Sequence, residues 1–296
     1  MNKERLQEYN GILNTNNTSL ENILNDVDNL PNASSGGVIP TVGFTVDEWN
    51  SEGYATKIST YGITTIPKYA FYTYNTTYLT MFSKYLETVT FNDELTIIDS
   101  SAFHYSSNLN ISSLPKSIKT IGTYAFGYCN NSNLTIFDFT NDGISGTRKI
   151  DKYAFRNNKM PKISLINNIT GTTNKLYVND YAFQGNTDLT ELYIEGNVYM
   201  QYTPFVGCTN LKKIHLKPNA NGSITFYSSS FANYANLDTI IIEGTYTGIS
   251  MTITGTPIAN GTGYIYVDDS MVDYYKSASV WSTYANQIKP ISELSA

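Results

Sequence analysis

Histidine and cysteine are scarce in this chain, which has 296 residues but only two of each. Nucleophilic catalysis of the Ser-His-Asp or Cys-His kind needs an imidazole beside the nucleophile, and neither His104 nor His215 stands in a recognised arrangement. Metal-binding patterns are missing from the sequence as well, since it has no Cys pair with ligand spacing, no His-Glu-x-x-His and no calcium loop. We therefore predict a protein that is not an enzyme and uses no cofactor or metal.

Charge is also limited, because charged residues make up only 15% of the sequence and the net charge is -6. Nucleic acids and anionic membranes are bound by clustered Lys and Arg, so neither is expected as a partner. The sequence lacks the ~18 consecutive apolar residues of a membrane span and the apolar run of a secretory signal near its N-terminus. We expect no membrane span, no signal peptide and no wall anchor.

The sequence does contain a repeat, whose anchor is a Phe that usually follows Ala and often follows Tyr-Ala. Another apolar residue stands five positions before every anchor. The anchors are Phe71, Phe103, Phe126, Phe155, Phe183, Phe205, Phe231 and Ile258, and the residues five positions earlier are Ile66, Ile98, Ile121, Ile150, Val178, Met200, Phe226 and Ile253. Eight copies without an exception indicate a repeated structural unit.

Each unit reads as a short strand, a turn, a second extended piece and a Tyr-Ala-Phe corner. The strand is indicated by apolar pairs two residues apart, such as Leu192 and Ile194, and the turns by Gly and Asn. One unit cannot bury its own apolar face, so neighbouring units must stack. The fold class is therefore a mainly β repeat solenoid, over residues 66–263. We interpret the apolar and aromatic repeat positions as core, including Tyr69, Tyr124, Tyr153 and Tyr181.

The two cysteines occupy equivalent positions, because Cys129 and Cys208 each lie three residues after an anchor Phe. Three units of stacked strands would separate them by about 14 Å, too far for a disulfide. We predict two free thiols that pack in the core as small hydrophobic groups.

Both ends of a solenoid need a cap. Residues 41–65 alternate like a pair of strands and are predicted as the N-terminal cap, with Trp49 covering the first coil. Residues 264–296 are predicted as a small helical C-terminal cap, in which residues 268–270 begin a helix over 271–278 and a second short helix carries Trp281 and Tyr284 before Pro290 stops it.

Residues 1–30 form a separate helical arm in our interpretation, followed by a flexible linker over residues 31–40. Their apolar residues fit a heptad, which favours a coiled coil and a homo-oligomer. A pair of helices is the alternative, because Thr18 and Glu21 make a capping box in a stretch poor in helix formers. The candidate oligomerisation residues are Leu6, Leu13, Leu20, Ile23 and Val27.

The units at 121–126 (Ile-Gly-Thr-Tyr-Ala-Phe), 150–155 (Ile-Asp-Lys-Tyr-Ala-Phe) and 189–194 (Leu-Thr-Glu-Leu-Tyr-Ile) resemble BspA-type (Treponema pallidum-type) leucine-rich repeats. The resemblance covers roughly residues 58 to 267. It implies a curved, right-handed leucine-rich-repeat solenoid with a parallel sheet along one side. It also implies a bacterial protein, on the cell surface or virion-associated, of a family that includes adhesins; without the resemblance, a cytoplasmic location is expected.

One outward column on the predicted sheet is the candidate binding surface, and a solvated sheet face is the alternative. The column comprises Thr90, Ser113, Asp138, Ser164, Tyr193, His215 and Ile241. Ile241 and Tyr193 are the best candidates for a contact, since both are expected to be exposed and uncharged. The leading hypothesis is a binding or adhesion protein for a protein or glycan. The alternative is a structural, phage-tail or appendage-associated subunit that displays the solenoid from an oligomerising arm.

Overall fold

The computed structural model describes residues 43–52, 54–72, 84–140, 146–169, 174–219, 223–226, 237–245, 249–251, 258, 263–279 and 281–294. The predicted arm over residues 1–30, its oligomerisation residues and the linker lie outside the described residues. The anchor Phe231 lies outside them as well.

The described part of the chain contains 18 β-strands in three sheets. The cap sheet contains β1 (Gly43–Trp49), β2 (Ala55–Tyr61) and β4 (Thr88–Thr90). The short-strand sheet contains β3 (Thr65–Ile66), β5 (Ile97–Ile98), β6 (Thr120–Ile121), β8 (Arg148–Ile150), β10 (Leu176–Val178), β12 (Val198–Met200), β14 (Ile224–Phe226) and β16 (Ile249–Met251). The long-strand sheet contains β7 (Ile136–Asp138), β9 (Lys162–Asn167), β11 (Glu191–Gly196), β13 (Lys213–Lys217), β15 (Thr239–Ile242), β17 (Tyr264–Val267) and β18 (Ile288–Pro290).

The short-strand and long-strand sheets are each entirely parallel, and each strand pairs with its counterpart in the next unit. The mainly β solenoid predicted from the repeat is therefore confirmed. Only one of its two parallel sheets was expected. The second arises because the extended piece five residues before each anchor, for example Ile121 or Ile150, also pairs with its equivalent in the neighbouring unit.

A ladder of stacked phenylalanine rings forms the centre of the solenoid. The rings of Phe71, Phe103, Phe126, Phe155, Phe183 and Phe205 follow one another at centroid separations of 4.9–5.5 Å. Their planes lie within 9° of parallel, and the rings are almost fully buried. Each large apolar side chain thus covers the ring of the unit before it, so stacking stabilises every unit through its neighbours.

From Phe103 to Phe205, the residue three positions after the anchor donates a side-chain hydrogen bond to the backbone of the preceding unit. The acceptor is always the carbonyl oxygen of the previous anchor Phe. The donors are Ser106, Cys129, Asn158, Asn186 and Cys208. Both thiols are free and buried, as predicted, but they occupy a column of donors, so a purely hydrophobic role for them is wrong.

Left-handed backbone geometry recurs at two positions of the unit, one two residues before the anchor and one two residues after it, and the unit of Phe205 has only the second. The first position includes Tyr124 and Tyr153, with φ of 57° and 59°. The second includes Tyr128 and Asn157, with φ of 60° and 53°. These two bends make the chain turn sharply around each anchor Phe, so the residues at the bends form a corner of the solenoid.

At the N-terminal end, β1 and β2 form the predicted antiparallel strand pair. Trp49 does not cover the first coil, because it follows two register irregularities at the end of β1 and stays 36% exposed. Phe44 and Val46 pack against the core in its place, and the ring of Phe44 meets Phe71 edge-on at 5.8 Å.

At the C-terminal end, an α-helix, α1 (Val272–Ser277), follows a 3-10 helix (Asp269–Met271). Two further 3-10 helices cover Ser282–Gln287 and Ile291–Glu293. Tyr275, Trp281 and Tyr284 are buried there, so Trp281 belongs to the core of the cap as expected. Pro290 does not stop a helix; the helix ends at Gln287, and Pro290 closes β18, which pairs with β17.

Candidate binding surface at the tyrosine corner

The predicted surface column is only partly assembled in the structure. Ser164, Tyr193 and His215 lie side by side on the outer face of β9, β11 and β13. Ile241 is next to His215 in the same ladder but is only 3% exposed, so its predicted exposure is wrong. His215 and Tyr266 are its register partners on the two adjacent strands.

The other three residues of the column lie elsewhere. The ladder places Ile136 opposite Ser164, and Asp138 falls in the next outward column, opposite Ile166. A slip of two residues leaves the same side chains facing inward, so the apolar pattern could not distinguish these registers. Ser113 is not in a strand. Thr90 belongs to the cap sheet, opposite Ser59.

Polar groups of the column bind charged residues of the same sheet face, which also bind one another. The Tyr193 hydroxyl donates to Glu195 at 2.6 Å, and Lys217 Nζ lies 3.2 Å from Glu243 and 3.9 Å from Glu195. Burial and the bond to Glu195 raise the pKa of Tyr193. His215 Nε2 lies 3.0 Å from Glu243 without an aligned hydrogen bond. A face whose charges are satisfied internally offers little to a partner.

A second surface runs along the corner of the solenoid, which is formed by the residues just before and just after each anchor phenylalanine. We call it the tyrosine strip. It consists of Tyr69, Tyr72, His104, Tyr105, Tyr124, Tyr128, Tyr153, Arg156 and Tyr181.

The first row of the strip is a continuous stack of rings along the solenoid. His104 lies 5.3 Å from Tyr72 and 4.8 Å from Tyr124, and Tyr153 continues the stack at 4.6 Å from Tyr124 and 5.1 Å from Tyr181. These rings turn their faces towards each other, and the tyrosines among them are partly exposed. Consecutive units set the spacing, so the row is fixed by the fold.

The second row lies beside the first. Tyr105 stacks on Tyr128 at 4.8 Å, and the Arg156 guanidinium carbon is 5.4 Å from the centre of the Tyr128 ring. The same guanidinium is 5.5 Å from the ring of Tyr153, which joins the two rows. Tyr105 is 40% exposed, so this row presents aromatic surface to solvent.

His104 is the most buried member of the strip, at 9% exposure. Its ring lies against Gly127, where a Cβ atom would come within 3.0 Å of it. Burial, and then the positive charge of Arg156, lower the pKa of His104 to about 4. The imidazole is therefore neutral near pH 7, and its buried Nε2 has no hydrogen-bond partner among the described residues.

Sequence reasoning treated the repeated tyrosines as core and so missed the strip. Tyr69 is 45% exposed, and Tyr124, Tyr153 and Tyr181 are half-buried. The sequence does contain a signal for exposure at the position two residues after the anchor. Tyr105 and Tyr128 occupy this position in two units, and Asn157, Gly185 and Gly207 occupy it in the next three. Asn and Gly are the residues that favour left-handed backbone, which belongs to exposed turns.

Among the described residues, no group of three or more His, Cys, Asp or Glu side chains is placed to hold a metal ion. Within the same ranges, no helix is long and apolar enough to cross a bilayer. The tyrosine strip offers aromatic rings, hydroxyl groups and one guanidinium, which are groups that commonly contact partners in molecular recognition.

Stacked units, parallel sheets and a repeated Phe anchor define a leucine-rich-repeat solenoid. The family model described as BspA type leucine rich repeat region, in six copies, matches residues 64–176 and 144–253. The chain therefore belongs to the BspA-type leucine-rich-repeat family. Proteins of this repeat class generally serve as non-enzymatic scaffolds for protein binding or adhesion.

Among solved structures, the chain is similar to a leucine-rich repeat protein from Bacteroides ovatus. The two are 13% identical, the match covers 79% of this chain and 71% of the other, and the TM-score is 0.29. No curated protein sequence matches the chain significantly.

Proposed function

We propose that the protein is a non-enzymatic binding scaffold that recognises a protein partner through the tyrosine strip. The observation that carries the proposal is the unbroken row of stacked rings from Tyr72 to Tyr181, in which every ring except that of His104 is partly exposed. Tyr and Arg are the residues enriched among the dominant contacts of protein interfaces. Rigid aromatic side chains also lose little conformational entropy when a partner binds.

A protein partner suits the geometry better than a glycan does. Sugars stack on the open faces of aromatic rings, whereas the faces of Tyr124 and Tyr153 are covered by their neighbours at 4.6–5.1 Å. Ring edges and hydroxyl groups remain available, and these pack against side chains and donate to backbone carbonyls. The sheet face around Tyr193 and His215 stays a second candidate surface, weakened by the internal hydrogen bond of Tyr193 to Glu195 and the ion pair of Lys217 with Glu243.

Selection from a random peptide display library on immobilised protein tests the proposal. The selected peptides should lose about tenfold or more in affinity for the double variant Tyr105→Asn/Tyr128→Asn. Asn is the natural residue at the same position in the next unit, Asn157, so the backbone geometry is preserved.

The matched control is Tyr264→Thr on β17. Tyr264 is exposed, and its register partner on the neighbouring strand β15 is Thr239. The control should leave the affinity unchanged within about twofold, as surface substitutions outside an interface do. Selection that yields no peptides, or peptides that bind the double variant as well as the wild type, would contradict the proposal. A glycan array probed in parallel would reveal a carbohydrate ligand instead.

The second proposal is that the protein is a structural, phage-tail or appendage-associated subunit. This proposal depends on oligomerisation through residues 1–30 alone. If the heptad forms a coiled coil, light scattering will give an oligomer for the full chain and a monomer for Leu13→Asp/Leu20→Asp. Equal masses for the two proteins would remove the coiled-coil argument. This measurement is independent of binding at the tyrosine strip.

A further inference from the structure

We infer that Arg156 makes the centre of the tyrosine strip a receptor for an acidic side chain of a protein partner. The inference rests on the proposed function and adds the chemistry of the contact. It assigns to one position in the strip a carboxylate ligand, supplied by an Asp or Glu in an exposed segment of the partner.

The first ground is that Arg156 has no acidic partner in the described part of the chain. The two lysines nearest in sequence on its N-terminal side are paired, since Lys152 lies 3.5 Å from Asp180 and Lys149 lies 2.9 Å from Asp151. The Nε atom of Arg156 is buried and makes no hydrogen bond there. The protein as a whole is acidic, with a net charge of -6, yet no carboxylate is paired with this guanidinium among the described residues.

The second ground is that the guanidinium is held in place before any ligand binds. It lies over two rings, at 5.4 Å from Tyr128 and 5.5 Å from Tyr153. Stacking on aromatic rings keeps the edge of a guanidinium free for the two parallel hydrogen bonds that a carboxylate accepts. An orientation fixed in advance reduces the entropy lost on binding.

The third ground is the position in the strip. Tyr105 and Tyr128 continue the second row on one side of Arg156, and the neutral His104 lies beside them. A carboxylate at Arg156 would thus be surrounded by ring edges, which carry partial positive charge and exclude water. A neutral or basic segment would leave the guanidinium without a partner.

Two peptide display libraries test the inference. They are identical and random except at one central position, which is Asp or Glu in the first library and Asn or Gln in the second. Both are selected on the full-length wild-type protein, and the selected peptides are measured on Arg156→Gln. Gln is the natural residue at the equivalent position of the next unit, Gln184, so the variant should fold.

The expected result is that strip-dependent peptides come mainly from the acidic library and lose about tenfold or more in affinity on Arg156→Gln. The control Lys159→Gln removes an exposed positive charge in the same unit and should change the affinity less than about twofold. The affinity of acidic peptides should also fall with added salt on the wild type and much less on Arg156→Gln.

Two results would overturn the inference while the proposed function stands. One is strip-dependent binding by neutral peptides only, and the other is acidic peptides that bind Arg156→Gln and wild type equally well. If neither library yields peptides whose affinity falls on Tyr105→Asn/Tyr128→Asn, both proposals are overturned. Binding of acidic oligosaccharides that depends on Arg156, without peptide binding, would reject the protein partner.

Discussion

The side-chain amide of Asn158 donates to the carbonyl oxygen of Phe126 in the preceding unit at 2.8 Å, while its oxygen accepts from the amide of Asn131 at 2.8 Å. Asn158 and Asn131 are 3% and 0% exposed. The bond to an anchor carbonyl recurs with different donors along the described solenoid, so it ties each unit to the one before.

Asn158→Leu should therefore lower the free energy of unfolding by about 2–3 kcal/mol, because it leaves the buried Asn131 amide unpaired. Cys129→Ser is the matched control in the preceding unit. It keeps a donor of the kind that Ser106 supplies in the same column, and it should cost less than about 1 kcal/mol. Denaturant unfolding of both variants measures the difference; similar losses would show that the donor column contributes nothing specific.

Both cysteines should be unreactive in the folded protein. Burial raises the pKa of Cys208 to about 12 and that of Cys129 still further, and thiol reagents need the thiolate. A chromogenic thiol reagent should find no reactive thiol in the native protein and two after denaturation. Rapid reaction of either thiol without denaturant would contradict the buried placement.

Two substitutions at left-handed corner positions should change the free energy of unfolding in opposite directions. Ser101 has a φ of 56° and should be strained, so Ser101→Gly should raise the free energy of unfolding by about 0.5–1 kcal/mol. Gly207 has a φ of 79° and room for a Cβ atom, whose nearest contact would be 3.5 Å. Gly207→Ala should therefore cost about 1 kcal/mol through backbone strain alone. Changes of the same sign would argue against the corner geometry.

Acid should weaken the fold through His104. Its folded pKa of about 4 is below the unfolded value of 6.5, so the unfolded chain binds the proton more readily. Stability from this group is fully present above pH 6.5 and is lost as the pH falls towards 4, by about 2 kcal/mol. His104→Gln should lose less stability than the wild type between pH 7 and pH 4.5 in denaturant unfolding. An equal loss in both proteins would mean that His104 is not the titrating group.

The core could be predicted from the sequence because its requirements are periodic. Every described anchor from Phe71 to Ile258 is buried, and so are the partners five residues earlier whose side chains are described, such as Ile98 and Val178. Each must fill the same place in its unit, so an apolar residue recurs there whatever the length of the loops.

The outward residues were harder to predict, since no repeating constraint selects them. The register of β7 could slip by two residues without exposing Phe137 or Phe139, which moved Asp138 out of the expected column. Ile241 is buried on a strand whose neighbours place His215 and Tyr266 beside it, a cross-strand arrangement that residue type alone does not reveal. Local spacing predicts which side chains face inward but not what lies beside them.

Footprinting of a selected peptide complex by hydroxyl radicals tests the central claim most directly, because tyrosine rings are oxidised according to their exposure. The claim predicts that bound peptide protects Tyr105, which is 40% exposed, and Tyr128 beside it, and leaves Tyr264 and Tyr274, at 40% and 44%, unprotected. Protection of Tyr264 or Tyr274 with none at Tyr105 and Tyr128 would place recognition elsewhere and contradict the account.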